Sequence, residues 1–104
     1  MPVITWDARP GPVPGITATS ASGAQLSASL YTLDAGAVVP LHAHVNEEFG
    51  LVLRGALELL GDDGPVVLGP GEAFLLAGGV EHGARAGAEG CELVECYAPP
   101  RVPS

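Results

Sequence analysis

Turn-forming residues divide this chain into short segments, at intervals of about 8 to 12 residues. Glycine, proline and aspartate cluster at Ser22-Gly23, at residues 34–36, 62–64 and 69–71, and at Gly78-Gly79. No window between these turns has a sustained helical periodicity. The pattern predicts an all-β sandwich or barrel. Its strands are expected at residues 16–20, 25–33, 38–44, 48–54, 56–60, 66–68, 73–76 and 91–97, with another beginning near residue 82.

The length of the chain limits it to one domain. A chain of 104 residues can bury one core and leaves little room for a second. Residues 1–15 contain prolines at positions 2, 10, 12 and 14, which exclude a helix. We therefore predict an extended N-terminal arm over residues 1–15 and a single barrel domain over residues 16–104.

The charge of the chain bears on its partners. Twelve acidic residues against four arginines and no lysine give a net charge of -8, which argues against binding to nucleic acid or to an anionic membrane. No apolar run approaches the roughly 18 residues of a transmembrane helix, and the N-terminus lacks the pattern of a signal peptide. We predict a cytoplasmic protein that binds a small molecule. Because 47% of so short a chain is apolar, we also predict a homodimer.

The two cysteines, Cys91 and Cys96, are five residues apart and would face opposite sides of one strand. A disulfide between them is therefore not expected. Their spacing is not that of a C-x2-C metal site, so we interpret them as small buried apolar residues.

Histidine and glutamate side chains are concentrated in the segment from Gly36 to Gly55. His42 and His44 point the same way on an extended strand, and Glu48 has the same parity if the strand continues past a bend at Val45-Asn46. His82 is the third histidine in the sequence. Such a mixed nitrogen and oxygen set suits one divalent ion of Fe, Mn, Ni, Zn, Co or Cu.

Two other interpretations of this segment stay open. His-x-His on a half-exposed strand is often no more than a solvated pair. Glu47 is the alternative metal ligand to Glu48, since a shift of one residue at the bend would exchange the two faces of the strand.

The spacing of these residues resembles the two motifs of the cupin superfamily. The first motif, G-x5-H-x-H-x3-E-x6-G, is complete from Gly36 to Gly55. The second is represented by Gly71, Gly79 and His82, with Ala77 where the family usually has proline and Ala86 where it usually has asparagine. The resemblance implies a double-stranded β-helix, the cupin jelly-roll barrel, in which His42, His44, Glu48 and His82 bind one metal ion.

A second group of candidate residues lies near the C-terminus. Leu93, Glu95 and Tyr97 alternate on one strand face. Glu95 is suited to act as general acid or base, with Tyr97 shaping the bound molecule and Arg101 pairing with its carboxylate. The alternative is a Glu95 that points outward from a solvated sheet.

The closing segment, GCELVECYAPPR, is similar to that of the small pectin-degradation cupins, which open the ring of unsaturated uronate sugars. The resemblance places Glu95, Tyr97 and Arg101 on that group's acid, aromatic and arginine positions. Those cupins typically have aspartate and phenylalanine at the first two positions, and glutamine where this chain has Glu48. A charged ligand makes the bound metal a weaker Lewis acid.

The leading hypothesis is a metal-dependent cupin enzyme that performs isomerisation, ring opening or elimination on a small oxygenated acid. A second hypothesis is a non-haem metal dioxygenase, which a ligand set of three histidines and one glutamate favours. A third is a non-catalytic module that binds or senses a small molecule in the same barrel.

Overall fold

Strands account for the regular structure of the chain. The computed structural model describes residues 3–11 and 13–101, and within these ranges the chain forms eight strands and no helix. The strands are β1 (Asp7–Pro10), β2 (Ile16–Ser22), β3 (Ser27–Leu33), β4 (Val38–His42), β5 (Glu47–Gly61), β6 (Val66–Leu68), β7 (Ala73–Leu76) and β8 (His82–Ala98). In the part of the chain described, no helix is long and apolar enough to cross a membrane.

Two long strands, β5 and β8, organise the fold. They have 15 and 17 residues and pair antiparallel over almost their whole length. The first half of β5 and the second half of β8 form one layer with β1, β2, β3 and β7, in which β3 pairs with β8 and β7 with β5. The other halves form a second layer with β4 and β6. This is the jelly-roll architecture predicted from the sequence.

The predicted interruptions of β5 and β8 are wrong. Gly55 was expected to end a strand at a turn, and it does take a left-handed φ of 73°, but β5 continues through it. The pairing with β8 shifts register on either side of this glycine, so Gly55 forms a bulge. Likewise, the expected strands near His82 and over residues 91–97 are one strand, β8.

The N-terminal segment is partly incorporated into the sheet. β1 lies within the predicted arm and pairs with β2 at the edge of the first layer. The boundary between an arm and a barrel domain at residue 16 stays a prediction. Residues 1, 2 and 12 of the arm and residues 102–104 of the barrel domain lie outside the described residues.

The hydrophobic core lies between the two layers at the end of the barrel away from the histidines. Val52 and Leu57 are its most deeply buried large side chains. Cys91 packs into the same core and Cys96 is half-buried; both are free thiols, as predicted. Burial raises the pKa of Cys91 to about 11.

Candidate metal and proton-transfer site

The inner face of the first layer changes from apolar to polar along the barrel. Cross-strand neighbours in one row are Tyr31, Leu93 and Val52. The next row, one residue pair further along, consists of Ser20, Ser29, Glu95, Gly50 and Phe74. The row after that contains Ser27, Tyr97 and Glu48. The polar groups of the candidate site are therefore placed by sheet register, at one end of the interior.

The three histidines meet at this polar end. β4 ends at His42, which is the register partner of His82 at the start of β8, and His44 follows in the bend before β5. One ring nitrogen from each histidine lies within 4.8 Å of the others. Residues far apart in the sequence are thus brought close enough to share one ion.

Main-chain carbonyls fix the orientation of all three rings. The Nδ1–H groups of His42, His44 and His82 donate to the carbonyl oxygens of Pro40, Asn46 and Val80 at 2.9, 3.1 and 2.9 Å. A carbonyl oxygen can only accept, so Nδ1 must carry the proton. Nε2 of each ring then has a lone pair available for a metal, as in typical histidine metal ligands.

Glu48 supplies the negative charge of this cluster. It is 3% exposed, and its Oε1 lies 2.8 Å from Nε2 of His44 and 3.2 Å from Nε2 of His82. Lone pairs on Nε2 would face a carboxylate oxygen at these distances, which is favourable only with a proton or a metal cation between them. The donor set therefore fits a divalent transition metal held by His42, His44, Glu48 and His82.

The pKa values of the histidines reflect the same charge arrangement. The hydrogen bond to Glu48 is the largest contribution that raises the pKa of His82 above its usual 6.5. Burial lowers the pKa of His42. Glu48 thus favours a positive charge at His82, whereas His42 favours the neutral form that binds metal.

Strand parity distinguishes Glu48 from Glu47, the alternative metal ligand considered in the sequence. Glu47 is exposed, next to the buried Glu48, and the bend at Val45-Asn46 keeps the parity predicted from the sequence. The four predicted ligands are together in space; their binding of a metal stays a prediction.

Glu95 and Tyr97 line the cavity beside this cluster. The hydroxyl of Tyr97 donates to Oε1 of Glu95 at 3.2 Å. The hydroxyl of Tyr31 is 3.3 Å from that of Tyr97 and is the donor to it, because the single hydroxyl proton of Tyr97 is directed at Glu95. The ring of Tyr97 also lies 5.7 Å from that of His44, edge to face. Tyr97 therefore connects the histidine cluster to Glu95.

Tyr97 stays protonated under ordinary conditions. It is 4% exposed, and its burial, followed by the nearby charge of Glu48, raises the pKa of its phenol far above the usual value. It can therefore donate a hydrogen bond to Glu95 without itself becoming an anion.

Two hydrogen bonds hold the segment from Pro99 to Arg101 at the mouth of the cavity. The backbone N–H of Arg101 donates to Oγ of Ser27 at 2.9 Å, and Nδ2 of the buried Asn46 donates to the carbonyl of Pro99 at 2.6 Å. The guanidinium lies 5.5 Å from the ring centroid of Tyr97. This places a positive charge beside the opening; the pairing of Arg101 with a substrate carboxylate stays a prediction.

A cavity of about 680 Å³ connects these groups. His42, Glu48 and His82 line one side of it, and Glu95 and Arg101 another. Phe74 and Leu57 are among the apolar side chains of the remaining wall. Its volume is within the range typical of small-molecule pockets.

Sequence reasoning missed part of the polar wall. Ser20 and Ser29 line the cavity and are hydrogen-bonded to each other at 2.8 Å, and Tyr31 lies beside them. The signal was present as Ser27, Ser29 and Tyr31 on alternate positions of β3. Such alternation also describes a solvent-facing surface, so it was not informative without the curvature of the sheet.

Residues 29–97 match the Cupin domain family. The chain belongs to this family. The match includes His42, His44, Glu48 and His82, so the histidine cluster of this cupin lies within the matched residues. Comparison with curated proteins gave no match.

Solved structures of other cupins are similar over almost the whole chain. KdgF from Halomonas sp. has a TM-score of 0.82 and 29% identity, over 94% of this cupin and 88% of that chain. An RmlC-like cupin from Shewanella frigidimarina has a TM-score of 0.83 and 25% identity, over 92% and 86% of the two chains. The likeness to KdgF supports the resemblance to pectin-degradation cupins seen in the closing segment.

A more distant likeness indicates the fold alone. Oxalate decarboxylase from Bacillus subtilis, a protein with Mn(II) centres, is 20% identical with a TM-score of 0.81. The likeness covers 94% of this cupin but 28% of the decarboxylase chain.

Proposed function

We propose that this cupin is a metal-dependent enzyme that moves a proton within a small oxygenated acid, by isomerisation or ring opening. The observation that carries the proposal is the hydrogen bond from Tyr97 to Glu95, in the same cavity as the histidine cluster. A carboxylate beside a metal site can remove a proton from one atom of a bound molecule and return it to another.

The charge of the cavity supports an anionic substrate. Three neutral histidines and one glutamate leave a net charge of about +1 on a bound divalent ion, and Arg101 adds a positive charge at the opening. Because the rest of the chain is strongly acidic, the cavity mouth is the favourable place for a carboxylate. The guanidinium of Arg101 is suited to bind that group by paired hydrogen bonds.

Each group of the chain then has a role in the reaction. His42, His44, Glu48 and His82 would hold the metal, which polarises a substrate oxygen when bound. Glu95 takes the proton of the hydroxyl on the carbon that bears the ring oxygen. This carbon becomes a carbonyl as its bond to the ring oxygen breaks, the released electron pair forms an enolate, and Glu95 returns the proton to the former vinyl carbon, so substrate and product have the same formula. Tyr97 holds Oε1 of Glu95 in position, and the apolar wall around Phe74 limits the access of water.

The assay uses an unsaturated uronate monosaccharide, the substrate class that the resemblance implies. In D2O, proton transfer to carbon should replace the vinyl signal in the NMR spectrum by a deuterated carbon. Glu95→Gln should lower kcat by about 100-fold or more, with metal content unchanged. Glu92→Gln is the matched control, since Glu92 lies on the same strand and pairs with Arg54 at 3.5 Å instead of lining the cavity.

Unchanged turnover in Glu95→Gln would remove the proposed role of Glu95. The alternative of a dioxygenase rests on the set of three histidines and one glutamate, and oxygen consumption by the iron-loaded protein would support it. Thermal stabilisation by the uronate without any product would instead support a binding module.

A further inference from the structure

Two serine hydroxyls lie together on the inner wall of the cavity. Ser20 on β2 and Ser29 on β3 are register partners, each is 7% exposed, and their Oγ atoms are 2.8 Å apart. Both side chains line the cavity. A hydroxyl that is taken out of water costs free energy unless it is hydrogen-bonded, so the bonding capacity of this pair indicates what the cavity receives.

The pair has hydrogen-bonding capacity to spare. Two serine hydroxyls carry two protons and four lone pairs, and the bond between them uses one of each. In the part of the chain described, neither Oγ has another hydrogen-bond partner. The neighbouring wall hydroxyls differ, since Ser27 accepts from the N–H of Arg101 and Tyr31 donates to Tyr97. One proton and three lone pairs of the serine pair therefore remain for a molecule in the cavity.

Glu95 lies between this pair and an aromatic ring. Ser29 and Glu95 are register partners on β3 and β8, and Gly50 and Phe74 continue the same row on β5 and β7. The ring of Phe74 occupies the space that a Cβ at Gly50 would need. The ring therefore lies against the sheet next to Glu95 in the row, and the serine pair lies on the other side of the carboxylate.

The spacing of these groups suits one ring-shaped molecule. Neighbouring strands are about 4.8 Å apart, so Ser29 lies one strand from Glu95 and Ser20 lies two. The guanidinium of Arg101 lies 5.5 Å from the ring centroid of Tyr97, which is two residues from Glu95 on β8. A molecule the size of a substituted six-membered ring can therefore reach the serine pair, the carboxylate and the guanidinium together.

We propose that Ser20 and Ser29 form a subsite for a hydroxyl group of a cyclic, polyhydroxylated acid whose ring lies against Phe74. This inference rests on the proposed function, because it assigns the hydroxyl-binding part of the same cavity. The pair can both donate and accept, as a hydroxyl group requires. An acid without that hydroxyl would leave the pair unpartnered, so the subsite discriminates against it.

Isothermal titration calorimetry in the presence of Zn²⁺ tests the subsite without turnover. The probe is galacturonate, a saturated hexuronate that lacks the double bond consumed in the proposed reaction. The double variant Ser20→Ala with Ser29→Ala should bind it about tenfold or more weakly than the wild type, because a buried hydrogen bond is lost. Thr32→Ala is the matched control, since it removes a hydroxyl from the exposed side of β3, and it should keep the wild-type affinity.

Monodeoxy derivatives of galacturonate show whether the loss belongs to one hydroxyl. For one of them, the wild type and the double variant should bind with equal affinity, because the hydroxyl that reaches the pair is missing; this binding also shows that the variant is folded. The proposal would be overturned by a wild type that does not bind galacturonate, by equal affinities of the wild type and the double variant, or by the same loss with every derivative.

The subsite and the proposed reaction can fail separately. Weaker binding of galacturonate by the double variant supports the subsite even if the unsaturated uronate is not turned over. Turnover of the uronate by a double variant with wild-type affinity for galacturonate would instead support the reaction and overturn the subsite.

Discussion

At the scale of single residues, the candidate site depends on which of two neighbouring glutamates points inward. Glu48 is buried against His44 and His82, whereas Glu47 is exposed on the other side of β5. The side chains differ in environment and not in chemistry. This pair therefore offers a comparison in which only position changes.

Replacement of Glu48 by alanine should weaken metal binding by more than the roughly 10- to 100-fold that loss of an outer partner costs. Glu48→Gln should lose less, since it keeps a ligand oxygen and removes only the charge. A competition titration with a chromophoric chelator measures each affinity. Glu47→Ala should bind metal like the wild type, and an equal loss in the two alanine variants would contradict the parity of β5.

The residues of the histidine cluster were singled out from the sequence by spacing and by the motif resemblance, and the three rings do lie close together. His42, His44 and Glu48 share a face by parity, and the motif resemblance added His82. The sequence did not predict Ser29 or Tyr31 as cavity residues, since a polar residue at every second position is equally typical of a sheet exposed to water. The side that becomes concave is decided by contacts far away in the chain.

At the scale of elements, the continuity of β5 and β8 positions the site. Glu48 and Tyr97 are register partners, as are Gly61 and His82 at the other end of the same pair. The individual segments were predicted, but the breaks at Gly55 and between residues 83 and 90 were not real. A glycine with positive φ can form either a turn or a bulge, and the neighbouring strand determines which.

Gly55→Ala should destabilise the fold by at least about 2 kcal/mol, since alanine is strained at this left-handed φ. Its Cβ would also overlap the carbonyl oxygen of Gly90 on β8. Urea unfolding followed by circular dichroism measures the loss. Gly23→Ala is the control. Its added Cβ would lie 3.5 Å from the main-chain oxygen of Leu26, an ordinary contact, so the free energy of unfolding should change by no more than about 0.5 kcal/mol. Equal stabilities would argue against a bulge at Gly55.

At the scale of the whole molecule, a metal ion would connect three strands that come from both layers. His42 ends β4, Glu48 lies on β5 and His82 begins β8. An ion that binds the folded chain and not the unfolded one stabilises the whole barrel. Metal removal is therefore expected to affect global unfolding and not the site alone.

Saturating metal should raise the Tm by roughly 10 °C at a hundredfold excess over the Kd. The increase should be smaller at pH 6 than at pH 8. His82 must lose its proton to bind metal, and its pKa is raised, so protons compete as the pH falls through that pKa. His42, whose pKa is lowered, adds little competition in this range.

In the metal-free protein, the stability that the pair of His82 and Glu48 contributes should instead be greater at pH 6 than at pH 8. Its contribution to stability is fully present below about pH 6.5 and is lost as the pH rises through the raised pKa of His82. Differential scanning fluorimetry with and without metal at both pH values makes the comparison. An increase in Tm that is the same at pH 6 and pH 8 would show that no histidine proton is displaced.

Strand β8 has a consequence for how this protein can evolve. Glu95 and Tyr97 line the cavity, whereas Val94 and Cys96 alternate with them along β8 and point to the outer side of the sheet. Deletion or insertion of one residue here would turn Glu95 and Tyr97 to the outside and bring apolar side chains into the cavity, so one event would change both faces of the sheet. During evolution, the cavity side and the outer side of β8 can therefore each change by substitution, whereas a change in the length of this segment is disfavoured.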